Sequence, residues 1–347
     1  MAELFVTNLN PRFTGVSATA ANVLRQQARL HDLHLVGHPL PGCPAPISVA
    51  RARALSRTPP PDRPFSIWHV RRNPEMRAAI WARDVLRLPI RIVFTSAAQR
   101  RHSAYPRWLI SRMDAVIATT DTAAAYVPHV RAVVPHGVDT DLFTPARDRA
   151  AGWAALGYGG TMGLATVGRI RPEKGTDRFV AAMLRLLPRL PDAVALVIGR
   201  ATREHAGFQR HLQEQIAAAQ LTDRILFPGE VPADQLPSLM RALSLVVQLP
   251  RYEGYGMVPL EGMASGLPFI GSDAGYYRAF SVDGRAGVIV DQDSPDEVAD
   301  VAFGLLTDGA RYAEMSAAAR EVAGTRFSAA TEAEGIEAVY RQLWQTG

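Results

Sequence analysis

The sequence predicts an α/β protein built as two doubly wound domains. Three observations carry this expectation. Short apolar runs alternate with amphipathic stretches through both halves, the pattern of parallel strands joined by helices. The 347 residues are about twice an ordinary domain. Between the two series, near 148–162, the rhythm pauses and the chain runs through the glycine-rich LGYGGTMG.

In the first half, strands are predicted at 4–8, 33–37, 65–69, 91–95, 115–119 and 132–134, and helices at 17–30, 74–88 and 105–113. Residues 39–64 are rich in proline and arginine and read as a long surface loop. In the second half, strands are predicted at 164–167, 193–198, 225–227, 245–248, 268–271 and 287–290. Helices follow at 175–187, 205–220, 233–241, 258–265 and 295–306. The final stretch sets Ile336, Val339, Tyr340, Leu343 and Trp344 at i, i+3, i+4, i+7 and i+8, one apolar face of a helix that needs a docking surface. The expected division is therefore 1–155, 156–326 and a terminal helical segment, 327–347.

Composition excludes several classes. With 48% hydrophobic and 20% charged residues, the chain is neither disordered nor fibrous. A single cysteine, Cys43, excludes an internal disulfide and a multi-cysteine metal site. The long uncharged runs at 33–50 and 152–168 are broken by prolines and glycines, so no membrane span is expected. The first residues have neither a basic region nor a long apolar one, so no signal peptide is expected. A soluble cytoplasmic protein is the expectation.

Charge is uneven. Residues 1–150 hold 20 arginines, no lysine and 10 acidic residues, whereas 151–347 hold 17 arginines, one lysine and 23 acidic residues. A basic half beside an acidic half suggests that the first half meets an anion: nucleic acid, a membrane surface or an acidic small molecule. Uneven surface charge with no partner is the plainer alternative. The lone lysine is Lys174. A genome that favours arginine codons accounts for the ratio; a site that needs a compact ammonium is the sharper reading.

Two segments carry chemistry. In RYEGYGMVPLEGMASGLPFIG (251–271), a helix that starts near Gly256 or Met257 leaves Glu253 in the preceding loop and puts Glu261 in its second turn. The amides of Gly254, Tyr255 and Gly256 then point above the helix N-terminus, which favours an anion such as a pyrophosphate. Carboxylates flanking that anion suit sugar hydroxyls, so the pair suggests a nucleotide-sugar. A glycine turn followed by a solvent-facing glutamate remains the alternative. In VGRIRPEKG (167–175), Arg169 and Lys174 follow a strand, at the edge where open α/β sheets bind ligands. Two cations there can neutralise a diphosphate and stabilise it as a leaving group. A charged loop without a ligand is the alternative.

These segments together resemble the GT-B retaining glycosyltransferases of family 4. VGRIRPEKG resembles the family's G-R-x(4)-K-G element, and EGYGMVPLEGMASGLPFI its E-x(7)-E element. FPGEVPADQLPSLMRALSLVVQLP (227–250) resembles the element beside the nucleotide base. VPHGVDTDLF (134–143) resembles an interdomain N-G-V-D-x-x-x-F, with His136 in the asparagine place. The resemblance implies two Rossmann-like domains around a cleft, with a terminal helix crossing back to the first. It implies that Arg169 and Lys174 bind the donor diphosphate and Glu261 the ribose. Glu253 would bind the donor sugar with amides from Gly254, Tyr255, Gly256 and Met257, and Gly15 would lie near the diphosphate or acceptor. Relatives usually carry a histidine shortly after the fourth strand; here Ala97 or Ala98 holds that place and His102 comes later.

Arg71 and Arg72 follow the third predicted strand, and Arg100 and Arg101 follow the fourth, so both pairs are expected at a ligand-facing sheet edge as a basic acceptor pocket. The stretch 68–105 resembles bacterial lipopolysaccharide core mannosyltransferases. That implies transfer of mannose from GDP-mannose to the Kdo of the inner core, an anionic, membrane-held glycolipid, with peripheral contact to the cytoplasmic face of the inner membrane. The donor is a substrate, and no cofactor or metal is expected. Asp139–Thr140–Asp141 and Asp291–Gln292–Asp293 both spell D-x-D, but the first falls in the interdomain motif and the second before a helix. Rival readings are another donor such as UDP-glucose, a nucleotide-sugar epimerase, a non-catalytic nucleotide-sugar binder, and a basic nucleic-acid-binding protein. The last is disfavoured because the basic half lacks a recognisable binding module.

Overall fold

The computed structural model describes residues 2–291 and 293–346. They form two compact units, one of residues up to 137 with those from 327 onward, the other 138–326.

The first unit runs β1 (Leu4–Asn8), α1 (Gly15–Gln27), β2 (Leu33–Gly37), α2 (Val49–Leu55), β3 (Ser66–Val70), α3 (Asn73–Ile80), β4 (Ile90–Ser96), α4 (Ala104–Ile110), β5 (Ala115–Ala118), α5 (Asp121–Ala124) and β6 (Val130–Val133). The second runs α6 (Arg149–Leu156), β7 (Met162–Val167), α7 (Thr176–Leu186), β8 (Ala193–Ile198), α8 (Ala206–Ala218), β9 (Ile225–Gly229), α9 (Leu236–Ala242), β10 (Leu245–Gln248), α10 (Met257–Ala264), β11 (Phe269–Gly271), α11 (Tyr277–Ser281), β12 (Val288–Ile289), α12 (Pro295–Thr307) and α13 (Gly309–Arg326). Helix α14 (Ala329–Thr346) returns to the first unit.

Each unit holds a six-stranded sheet, ordered β2-β1-β3-β4-β5-β6 and β12-β11-β10-β7-β8-β9. Every strand pairing given for them is parallel. A parallel sheet buried on both faces needs near-continuous apolar strands, and β1, β3, β5, β8, β10 and β11 are buried throughout. Alternation then sorts the side chains. Val6, Leu35, Ile67, Val93 and Ile117 face α1 and α14, while Phe5, Val36, Trp68, Ile92 and Phe94 face α2, α3 and α4.

Helix α14 buries Ile336, Val339, Tyr340, Leu343 and Trp344 against the first sheet. Five such side chains supply on the order of 10 kcal/mol. Polar ties fix its register. The Glu332 carboxylate accepts from the Gly137 amide (2.7 Å) and bonds the His136 ring (2.7 Å), and Gln27 donates to Glu337 (2.9 Å). Tyr340 meets His69 (2.5 Å), and the Trp344 indole donates to the Phe65 carbonyl (3.1 Å).

The structure corrects three expectations. The first unit ends at Gly137 rather than near 155, because the pause in rhythm is filled by α6, which packs on α9 and buries Trp153. Within 39–64, Ser48 caps α2 by accepting from the Arg51 amide (3.1 Å), so part of the loop is helical. The helix expected at 74–88 loosens into a π turn over Trp81–Val85 and ends there.

Candidate functional site

In an open α/β sheet, ligands sit beyond the carboxyl ends of the strands, where the strand order reverses. In the second unit that point lies between β7 and β10, which pair with each other. The loop after β7 carries Arg169 and Lys174; the loop after β10 carries Glu253. Two glycines bring these loops together. Gly175 has φ +69°, and a Cβ there would sit 1.8 Å from the Leu249 carbonyl oxygen. The Lys174 ammonium donates to Glu253 at 2.6 Å, and Arg251 forks onto Asp177 at 2.8 and 2.7 Å, locking the second loop to α7. That fork holds the Asp177 carboxyl below its usual range, against the opposing pull of burial.

The loop then enters α10 through Gly256, whose φ of +97° and contact with the Tyr277 ring leave no room for a side chain. Of the amides expected to serve a ligand here, that of Gly254 donates to Glu253 (2.9 Å). Tyr255 is buried and stacks on Tyr276, so its amide and those of Gly256 and Met257 lie on a rigid corner. Glu261 stands in the second turn of α10. Its side chain keeps some solvent access, yet burial pushes its carboxyl up to about 7. Next to Arg169 opens a cavity of about 210 Å³ beyond β7, β8 and β9, walled by Gly168, Ile198, Gly199, Val231 and Leu236, with Arg200 and Glu230 at its edge.

In the first unit the order reverses between β1 and β3, and there Arg72 is engaged. It donates to Asn8 (3.0 Å), Glu75 (3.0 Å), Thr14 (3.0 Å) and Ser17 (2.8 Å). Arg72 therefore ties the loop of Gly15 to α3 and is a strut, not the free cation expected of it. The space over Gly15 is open. Arg71 is different. Its guanidinium is buried and none of its three nitrogens has a hydrogen-bond partner among the described residues. Burial depresses its pKa, with the Tyr340 hydroxyl, Glu332 and Glu75 pulling the other way. Arg100 and Arg101 are exposed in the loop after β4, and His102 lies beside them with a buried Nε2 that has no hydrogen-bond partner among the described residues. Burial, and then Arg100, lower the His102 pKa.

Charge patterning did not reveal three neighbours at this sheet edge. The hydroxyls of Ser96 and Thr119, at the ends of β4 and β5, are buried without hydrogen-bond partners among the described residues, and His69 spans Tyr340 and Thr95 (2.7 Å). Their signal was present in the sequence as polar residues closing apolar strands.

The D-x-D pairs are used in turns. Asp139 accepts from the amides of Asp141 and Leu142, both at 3.1 Å. Asp291 accepts from the Asp293 amide (3.0 Å) and Asp293 pairs with Arg178, while Gln292 lies outside the described residues. Among the described residues no three His, Cys, Asp or Glu side chains are placed to hold a metal, and no helix is long and apolar enough to cross a membrane.

Comparison with known proteins agrees with this geometry. Residues 160–322 match the family described as glycosyl transferases group 1. The chain is 40% identical to the lipopolysaccharide core biosynthesis mannosyltransferase LpsB of Rhizobium meliloti (strain 1021), over 98% of this chain and 97% of that protein. It is 39% identical to the lipopolysaccharide core biosynthesis mannosyltransferase LpcC of Rhizobium leguminosarum bv. viciae, over 98% and 96%. The fold matches the crystal structure of Anabaena Alr3699/HepE in complex with UDP and glucose, with a TM-score of 0.82, 16% identity, and coverage of 99% of this chain and 100% of that one.

Proposed function

From the premise that this chain belongs to the group 1 glycosyltransferases, with the GT-B fold, we propose that it moves mannose from GDP-mannose, with retention, to the Kdo-bearing inner core of lipopolysaccharide. The observation that carries the reading is the Lys174–Glu253 contact of 2.6 Å at the β7/β10 reversal. It joins a cation suited to a diphosphate to a carboxylate suited to sugar hydroxyls, at the point where the two halves of a nucleotide-sugar meet.

On donor binding, Lys174 and Arg169 engage the diphosphate, and Glu253 accepts from sugar hydroxyls. As the glycosidic bond breaks, negative charge grows on the bridging phosphate oxygen, and the two cations stabilise it more in the transition state than in the ground state. The acceptor hydroxyl then attacks the anomeric carbon from the face that GDP leaves, and its proton passes to the departing phosphate oxygen. Glu261 holds the ribose. Glu230, at the cavity edge, supports guanine: a carboxylate matches the two adjacent N–H donors of that base, whereas uracil offers one N–H between two acceptors.

On the first unit, Arg71, Arg100 and Arg101 are the cations for the acceptor's carboxylate or phosphates, with the unpaired hydroxyls of Ser96 and Thr119 for its sugar hydroxyls. Such an acceptor is held in a membrane, so the enzyme works against the cytoplasmic face of the inner membrane. Catalysis needs no divalent metal.

Calorimetric titration with GDP, UDP and ADP, with and without EDTA, tests the donor. GDP binding that ignores EDTA and exceeds the others is expected; UDP preference overturns the GDP-mannose reading. Incubation with GDP-mannose and Kdo-bearing core, followed by anomeric analysis of the product, tests the transfer.

A further inference from the structure

Helices α2, α3 and α4 cover one face of the first sheet. Their inner sides, with Ala52, Met76, Ala79, Ala82, Leu109 and Ile110, are buried there. Their outer sides therefore form one surface. Such a surface on a water-soluble protein is ordinarily polar. Here Trp81 and Val85 of the π turn and Leu86 just after it, with Tyr105 and Trp108 of α4, are 41–61% exposed. Tyr105 stacks on Trp108, with ring centroids 6.3 Å apart, and Arg53 of α2 lies 4.3 Å over the Trp81 ring. Asp84 of the π turn accepts from Arg112 just beyond α4 (2.8 Å), which ties the π turn to the end of α4.

The charge of this surface is one-sided. Residues 49–57, 73–88 and 104–112 hold eight arginines, no lysine and two carboxylates, Asp84 and the buried Glu75. We propose that this outer surface docks onto a membrane, the arginines on anionic phospholipid headgroups and the tryptophans, Tyr105, Val85 and Leu86 at the edge of the acyl layer. Indole and phenol rings favour that depth, being apolar in body and polar at the tip. Guanidinium groups fork onto phosphate while their stems stay in the apolar layer. Val85 and Leu86 decide for lipid over nucleic acid, since a phosphate backbone rewards the arginines but offers an aliphatic side chain nothing. The proposal deepens the reading of a membrane-held acceptor and names the surface that reaches it.

The test is sedimentation of the full chain with vesicles of phosphatidylcholine, with and without phosphatidylglycerol. Binding that requires phosphatidylglycerol and weakens with salt is expected. A basic residue near such a surface is worth about fivefold in partition, so Arg57→Gln, Arg77→Gln and Arg107→Gln together should lower it about a hundredfold. The chain supplies its own depth probe. Of its five tryptophans, Trp68, Trp153 and Trp344 are buried, so quenching by brominated lipid reads Trp81 and Trp108. Quenching should disappear in Trp81→Ser with Trp108→Ser, while GDP affinity is unchanged. Vesicle binding untouched by the arginine changes, absence of quenching, or a dimer that these two tryptophan changes dissolve would each overturn the proposal. Transfer to a delipidated, soluble acceptor separates the two readings. Transfer without docking leaves the acceptor reading standing alone; docking without transfer to any Kdo-bearing acceptor leaves the surface and removes the acceptor reading.

Discussion

Replacing Glu261 with glutamine should strengthen the fold and weaken donor binding at once. Burial pushes the Glu261 carboxyl from 4.5 to about 7. Because the folded value lies above the unfolded one, the native state holds this proton longer as pH rises. The stability it contributes is whole below about 4.5, falls through the interval and is lost above about 7. At about 1.4 kcal/mol per decade of proton affinity, the full interval amounts to about 3 kcal/mol, an upper figure because the side chain keeps some contact with water. Glu261→Gln removes the buried charge, so the variant should gain up to about 3 kcal/mol over the parent at pH 8 and nothing at pH 4. Ribose hydroxyls donating to a carboxylate bind better than to an amide, so GDP affinity at pH 8 should fall roughly tenfold to a hundredfold. Urea denaturation at the two pH values and calorimetry with GDP measure both. A variant no more stable than the parent at pH 8 refutes the desolvated carboxylate. Unchanged GDP affinity refutes the ribose contact.

Three further outcomes follow from the geometry. Lys174→Met should lower kcat more than it raises the donor KM, because in the proposed mechanism the ammonium acts most on the leaving diphosphate; steady-state kinetics would show a pure KM effect if it only binds. Arg72→Ala should cost about 2 to 4 kcal/mol in thermal or urea unfolding, because it strands Glu75, Asn8 and Ser17, whereas Arg71→Ala should leave stability unchanged or raised and instead raise the acceptor KM; equal destabilisation by both would contradict their different roles. Gly256→Ala should destabilise by at least about 2 kcal/mol, since its φ is +97° and the new Cβ would lie 2.1 Å from the Tyr277 ring; an unchanged melting temperature would show that this corner yields.

The strands were legible because each is a short apolar run bounded by polar or turn residues, and every predicted one is present to within a few residues. Helices with small or sparse buried faces were not. Helix α2 buries only Ala52, and its Ala–Arg alternation has no apolar stripe to read. Helix α13 buries Met315, Ala319, Val322 and Ala323, a helical spacing in which two of the four residues are alanines and the signal is faint. In the site, residue types were legible and partnerships were not. The sequence marks Arg71 and Arg72 alike as cations after a strand. Only the fold tells them apart: it places Asn8, Thr14 and Ser17 within reach of Arg72, and among the described residues it leaves the buried Arg71 guanidinium without a hydrogen-bond partner.

The return of α14 to the first unit sets a clock on synthesis. A ribosome that has finished β6 must add about 190 residues, the whole second unit, before α14, which packs on α1, β5 and β6, emerges. At ordinary elongation rates that is a wait of roughly 10 to 40 s. Throughout it the nascent first sheet carries an apolar face with only α1 upon it, while residues 138–326 are free to fold unaided. The order of completion is thus the reverse of the order of translation. A nascent chain stalled before residue 327 exposes a natural handle for chaperones.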